Sequence, residues 1–245
     1  MVGIRYYGGY IPFYRLERKK IFQSIGWANG ALGGYARGEK AVAGYDEDSL
    51  TMAVAACHNC VNGIDPDALE GVYFASTTMP FKERLGAGVI AGTLGMKEAV
   101  RGADFSSSLR SGTTALLSAL ETVQSGGAGN IIVSASDCRL GKAASPQEMI
   151  FGDAAAAFLI SDQEVIAEFK GAYCITRDFV DHYRGAFERF DRQWEDRWVR
   201  DKGFGALIPE AVDGILKKFD LNIDDIACLI YPCHYPAERK KLNAA

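Results

Sequence analysis

The stretch Ala103-Asp-Phe-Ser-Ser-Ser-Leu-Arg-Ser-Gly-Thr-Thr-Ala-Leu116, followed on to Ser136, decides the fold. Asp104–Ser108 reads as a short strand, and a turn of small residues follows. Gly112–Gln124 reads as a helix with Leu116, Leu117, Leu120 and Val123 on its buried side. Ser125–Gly129 is a loop. Asn130–Ser136 is a strand that stays apolar through its middle, as a strand covered on both faces does. Working outward, Val72–Ser76 and Ala154–Ser161 read as further strands and Gly86–Leu94 as a small-residue helix. Asp46–Asn62 is a helix. Asp46, Glu47 and Asp48 place negative charge at its start, where the helix dipole favours it, and Leu50, Val54, Cys57 and Val61 recur at helical spacing. At the N-terminus Val2–Tyr7 reads as a strand, Gly8-Gly9 and Pro12 as turns, Arg15–Phe22 as a basic helix and Gly26–Gly38 as a loop. Strands alternating with helices predict a layered α/β domain.

The composition shifts after Asp162. Phe179–Lys202 is dense in Arg, Asp, Glu and aromatics and reads as a surface excursion with amphipathic helical stretches. Pro209–Phe219 is a predicted helix and Ile226–Tyr231 a predicted strand. We therefore expect two parts, 1–162 and 163–245. The 245 residues are 48% hydrophobic and 24% charged, a globular balance that excludes intrinsic disorder. A net charge of −4 argues against a general nucleic-acid or anionic-membrane binder. No apolar stretch approaches the ~18 residues of a membrane span. The six cysteines are too few for a disulfide scaffold, and Arg5 and two glycines stand where a secretory apolar run would lie. The expectation is a cytoplasmic protein with reduced thiols.

Three stretches resemble the thiolase-like condensing enzymes, and within them the microbial 3-hydroxy-3-methylglutaryl-CoA synthases and ketoacyl synthase III relatives. They are Gly38–Ala56, Ala103–Leu116 and Phe151–Phe158, and the resemblance runs from Val2 to about Tyr235. It implies a thiolase-like α-β-α-β-α fold of two similar halves, with the first half complete and the second truncated after its opening elements. It also implies a coenzyme A thioester as ligand, no covalently bound cofactor, and Claisen-type carbon–carbon bond formation or its reverse. In that chemistry a cysteine carries the acyl group, while a histidine and a carboxylate handle protons. An oligomer is implied, with a catalytic thiolase-like subunit and a small OB-fold zinc protein as partners.

The chain departs from the family pattern at each catalytic position. The nucleophile's position, four residues after Phe105, is Leu109, and a leucine cannot carry an acyl group. Arg110, Ser111 and Gly112 continue the motif, so these four residues are expected to line the pocket. The family's glutamate position is Thr77, a further expected pocket residue, and its histidine position is Pro232. His234 would substitute if the loop shifts by two residues, with Cys233 and Tyr235 beside it. Neighbours on one extended segment point to opposite faces, so Cys233 and His234 are not expected to work on each other.

The other candidates have plainer readings. Cys57-His58-Asn59-Cys60 has CxxC spacing, but it lies inside a helix with no second ligand pair, which favours a core role over zinc or redox chemistry. Asp153 after Gly152 reads as a structural turn, and Cys138 as a packing residue at a strand end. Arg184, Arg189, Arg192, Arg197 and Arg200 are interleaved with acids and read as a self-paired surface, with coenzyme A phosphates or a partner as the alternative. Three functions stay open. The first is an accessory or channel-completing subunit of a catalytic thiolase or synthase. The second is a cysteine-independent acyl-CoA carbon–carbon lyase. The third is a piece of a synthase-like acyltransferase.

Overall fold

The computed structural model describes residues 1–244. The chain forms two compact units, Met1–Lys170 and a second from Gly171 onward.

The first unit is built on a six-stranded mixed sheet. Its strands are β1 (Gly3–Tyr10), β4 (Gly71–Ala75), β5 (Arg101–Phe105), β6 (Asn130–Asp137), β7 (Ala154–Ser161) and β8 (Ala167–Glu168), in the order β5-β4-β6-β7-β1-β8. β5, β4 and β6 are mutually parallel, and β7 runs antiparallel to both β6 and β1. A separate hairpin pairs β2 (Tyr14–Glu17) with β3 (Glu39–Val42).

Helices α2 (Ser49–Cys60) and α3 (Gly86–Thr93) cover one face of the sheet, and α4 (Ser111–Gln124) covers the other. The strands divide their side chains accordingly. Val72, Phe74 and Ile132 pack with α2 and α3, whereas Tyr73, Ala75, Ile131 and Val133 pack with α4. This period-two division is what a strand buried on both faces imposes. Burying Phe74 alone contributes about 2–3 kcal/mol. Asp48 caps α2: its Oδ1 accepts from the N–H groups of Leu50 and Thr51, and Thr51 Oγ1 accepts from the Asp48 N–H.

Several boundaries differ from the sequence expectation. Gly8 and Gly9 do not turn the chain but lie inside β1. A Cβ on Gly8 would stand 2.4 Å from the Cys60 nitrogen and 2.6 Å from the Ala56 oxygen, so glycine serves the close approach of β1 to α2. Arg15–Phe22 is not one helix. Tyr14–Glu17 pairs with β3, and α1 (Arg18–Ile25) begins only after it. Ile21 of α1, Leu32 and Met149 of the short helix α5 (Pro146–Ile150) form a cluster of their own. On α4 the buried side is made by Ala115, Ala119, Leu120 and Val123.

The second unit contains a two-residue hairpin of β9 (His182–Tyr183) and β10 (Arg192–Gln193), a short helix α6 (Asp196–Trp198) continued by a π turn (Val199–Phe204), then α7 (Gly205–Phe219) and α8 (Pro236–Leu242). The charged excursion thus holds a hairpin ahead of its helical turns. Ile226–Tyr231 is not a strand. No described strand pairs with it, and Ile230 is 91% exposed. A strand needs a ladder partner for its N–H and C=O groups, and an apolar pattern does not supply one.

Candidate functional site

In open α/β sheets, sites form beyond the carboxyl ends of parallel strands. In the first unit these are the ends of β4, β5 and β6. β5 leaves the sheet at Phe105, and residues 106–110 turn into α4. Ser106 Oγ donates to the Ser76 carbonyl at 2.7 Å, tying this turn to the end of β4. Ser107 takes φ +64°, a left-handed conformation rare for a residue with a side chain. The Ser108 carbonyl accepts from both the N–H (3.0 Å) and the hydroxyl (2.6 Å) of Ser111, which closes the turn as the helix starts.

Leu109 projects from this turn with 47% of its surface exposed, immediately ahead of Arg110 at the helix N-cap. Arg110 provides no side-chain cap. Ser111 is buried with its hydroxyl proton committed to Ser108. A Cβ on Gly112 would meet Ala135 Cβ at 3.2 Å, so its small size lets α4 settle on β6. Strand end, left-handed turn and helix start are thus all in place, while the Leu109 side chain carries no nucleophilic atom.

Thr77 lies just beyond β4, and its hydroxyl and N–H both donate to Asp137 Oδ1, at 2.9 and 2.7 Å. The same oxygen accepts from Ser76 Oγ at 3.1 Å and Thr78 Oγ1 at 3.0 Å. Asp137, the last residue of β6, therefore gathers the turn after β4 into one hub. Sequence reading missed it. The available signal was an acid at the end of a buried strand that adjoins the Thr77 turn in the parallel order.

Beside the hub, burial foremost and then the charges of Asp153, Asp48, Asp137 and Glu47 push the Cys138 thiol up to about 12. It stays protonated and packs against the α2–α3 core. Cys57 and Cys60 face the core, with burial raising their thiols to about 12 and about 11, while His58 between them is exposed. Among the described residues no group of three or more His, Cys, Asp or Glu side chains is arranged to hold a metal ion. Asp153 accepts from the Ala43 N–H at 2.8 Å, the structural tie expected of it, and burial raises its carboxyl above the usual range.

The second unit brings the other candidates together. Tyr235 Oη donates to Asp196 Oδ1 at 2.7 Å, and Gln193 Nε2 donates to both Asp196 Oδ1 and Tyr235 Oη at 2.9 Å, a closed triangle. The His234 ring lies 4.1 Å from the Tyr235 ring and meets Phe204 edge-on at 5.7 Å. Burial pushes the His234 imidazole below its ordinary range, against the pull of Asp196 and Asp181. Cys233 Sγ contacts the Tyr235 carbonyl, not His234. The excursion's arginines are engaged locally: Arg184 with the buried carboxylate of Asp191 at 3.4 Å, Arg192 with Glu188, Arg197 with Glu195, Arg200 with Asp201, and Arg189 over the Phe190 ring. These local pairings are those expected of a self-paired surface.

Comparison with known proteins bears on both units. No family model matches the chain. Hydroxymethylglutaryl-CoA synthases of Thermococcus onnurineus and Pyrococcus horikoshii are each 29% identical over 248 aligned residues, covering all of this chain and 69% of theirs. A solved HMG-CoA synthase complexed with CoA superposes with a TM-score of 0.80 at 20% identity, over 92% of this chain and 58% of its own. A Xanthomonas campestris OleA variant does so at 0.83 and 14% identity, over 99% and 79%. The chain has a thiolase-like fold and is similar in sequence to the hydroxymethylglutaryl-CoA synthases. The chain spans about 58% of the solved synthase and 69% of its curated relatives. The turn holding Leu109 is the one at which the resemblance expects a cysteine.

Proposed function

We propose that this thiolase-like chain binds a coenzyme A thioester but forms no acyl-enzyme, and that it completes the acyl-CoA channel of a catalytic thiolase-like subunit. A small OB-fold zinc protein is the further partner that the resemblance implies. The observation that carries this reading is Leu109: an exposed leucine on an intact strand–turn–helix. An acyl group needs a sulfur or oxygen nucleophile with a base to activate it. Leucine has neither, and the Ser111 hydroxyl proton is already committed. The CoA named with one solved neighbour supports the ligand class. The test is incubation with acetyl-CoA followed by intact-protein mass spectrometry. The wild-type chain should gain no acyl mass, and Leu109→Cys should gain one acyl group that hydroxylamine removes. An acylated wild-type chain, or turnover of acetyl-CoA with acetoacetyl-CoA by this chain alone, would overturn the proposal.

A second reading is favoured by His234. A half-buried imidazole held neutral near pH 7, set against an Asp-bound tyrosine, is suited to accept a proton. Cleavage of a 3-hydroxyacyl thioester needs no nucleophile. His234 takes the 3-hydroxyl proton, C3 becomes a carbonyl, and the C2–C3 bond breaks with its electron pair left on C2 as the thioester enolate. The imidazolium then returns the proton to C2. His234→Gln would abolish such cleavage.

A further inference from the structure

Two of the chain's three histidines, His182 and His234, lie in the second unit. His182 on β9 stands directly opposite Gln193 on β10. Directly opposed residues of an antiparallel pair project from the same face, with Cβ atoms about 5 Å apart. Gln193 in turn donates to Tyr235 and Asp196, and Tyr235 holds its ring 4.1 Å from His234. His182 is fixed by its own neighbour, its Nδ1 lying 3.0 Å from Asp181 Oδ2. The Trp194 N–H donates to the Asp181 carbonyl at 2.8 Å and prolongs the hairpin by one bond. The charged excursion thus carries a carboxylate-bound imidazole to the residue that clamps Tyr235 beside His234. Burial foremost lowers the proton affinity of His234, while Asp196 and Asp181 raise it and His182 lowers it.

We infer that His182 and His234, bridged by Gln193 and Tyr235, form one coupled two-imidazole proton site, with His182 as the positioning residue that keeps His234 ready to accept a proton. Its use in cleaving a 3-hydroxyacyl thioester rests on the second reading above. The coupling itself does not. Protonating one imidazole opposes protonating the other, so the site takes a first proton and resists a second. Asp181 and Asp196 act in the opposite sense and help the site hold the first proton.

The experiment is a histidine side-chain NMR titration of the full chain between about pH 5 and 8, the range in which imidazoles change charge. Wild type is compared with His182→Gln and Asp196→Asn, and the exposed His58 serves as internal reference. His182→Gln removes a like charge, so the His234 midpoint should move up. Asp196→Asn removes an attracting charge, so it should move down. Mere loosening of the loop would expose His234 and carry both midpoints up, toward the ordinary imidazole value. Trp194 and Trp198 fluorescence reports whether each variant keeps the local fold. Opposite shifts support the coupled site, whereas an unmoved midpoint in His182→Gln, or upward shifts in both variants, overturns it. These titrations need no turnover. Absence of thioester cleavage would therefore end the second reading and leave the coupled site standing.

Discussion

Leu109 sits on a turn whose geometry is held by its neighbours. The turn that presents it is closed by Ser106 and Ser111, and neither interaction depends on what residue 109 carries. The same independence makes Leu109→Cys an informative variant, since it adds a nucleophile to a preformed turn. Asp137 is the converse, a side chain on which geometry depends. One carboxylate oxygen collects donors from Ser76, Thr77 and Thr78. Asp137→Ala leaves those donors to compete for water at the end of the sheet. The expected cost is about 2–4 kcal/mol, because hydrogen bonds to a charged acceptor contribute more than neutral ones. Urea unfolding should show it as a lowered midpoint at unchanged slope. The place of Leu109 between a strand and a helix was legible in the sequence, because both elements are local. Asp137 was not, because its donors lie 60 residues away, as Thr77 does, and meet it only through strand order.

Gly8 settles how an element is read. In sequence, Gly8-Gly9 looks like a turn, since paired glycines commonly mark one. In the structure the pair continues β1 because α2 lies too close for any Cβ at Gly8. Gly8→Ala should cost roughly 3 kcal/mol by forcing β1 and α2 apart, a drop that thermal unfolding reads directly. The added methyl would press on backbone atoms, which cannot swing aside as a side chain can. Ile226–Tyr231 carries the complementary lesson. Its β-branched and aromatic residues have strand propensity, but propensity is a weak guide where no neighbouring strand offers a ladder. By contrast α2, β7 and α4 were readable nearly to their ends. Asp48 announces the start of α2 through local capping, and β7 matches its predicted span Ala154–Ser161.

On the scale of the whole molecule the two units differ in how they are held. All three buried hydrophobic clusters among the described residues belong to the first unit. In the second, α7 has no buried residue, and Val199 is the large apolar side chain that is buried. Local opening is easiest where few apolar contacts are buried, so hydrogen exchange should separate the units. Amides of β6 and β7 should be among the slowest, and amides of 226–231 should exchange without protection. Strong protection of 226–231 in the isolated chain would contradict this picture. A bound partner that supplies strands to that segment should restore protection there. Hydrophobic period, capping and motif are local properties. The alternation of strands and helices, the thiolase-like resemblance and the leucine at the turn could therefore be read from the chain alone. Folding had to settle the rest: that Asp137 gathers the Thr77 turn, that Gly8 sits inside a strand, and that the excursion brings His182 and Asp196 to Tyr235 and His234. Those arrangements join residues far apart in the chain, and their partners are chosen by strand order and packing.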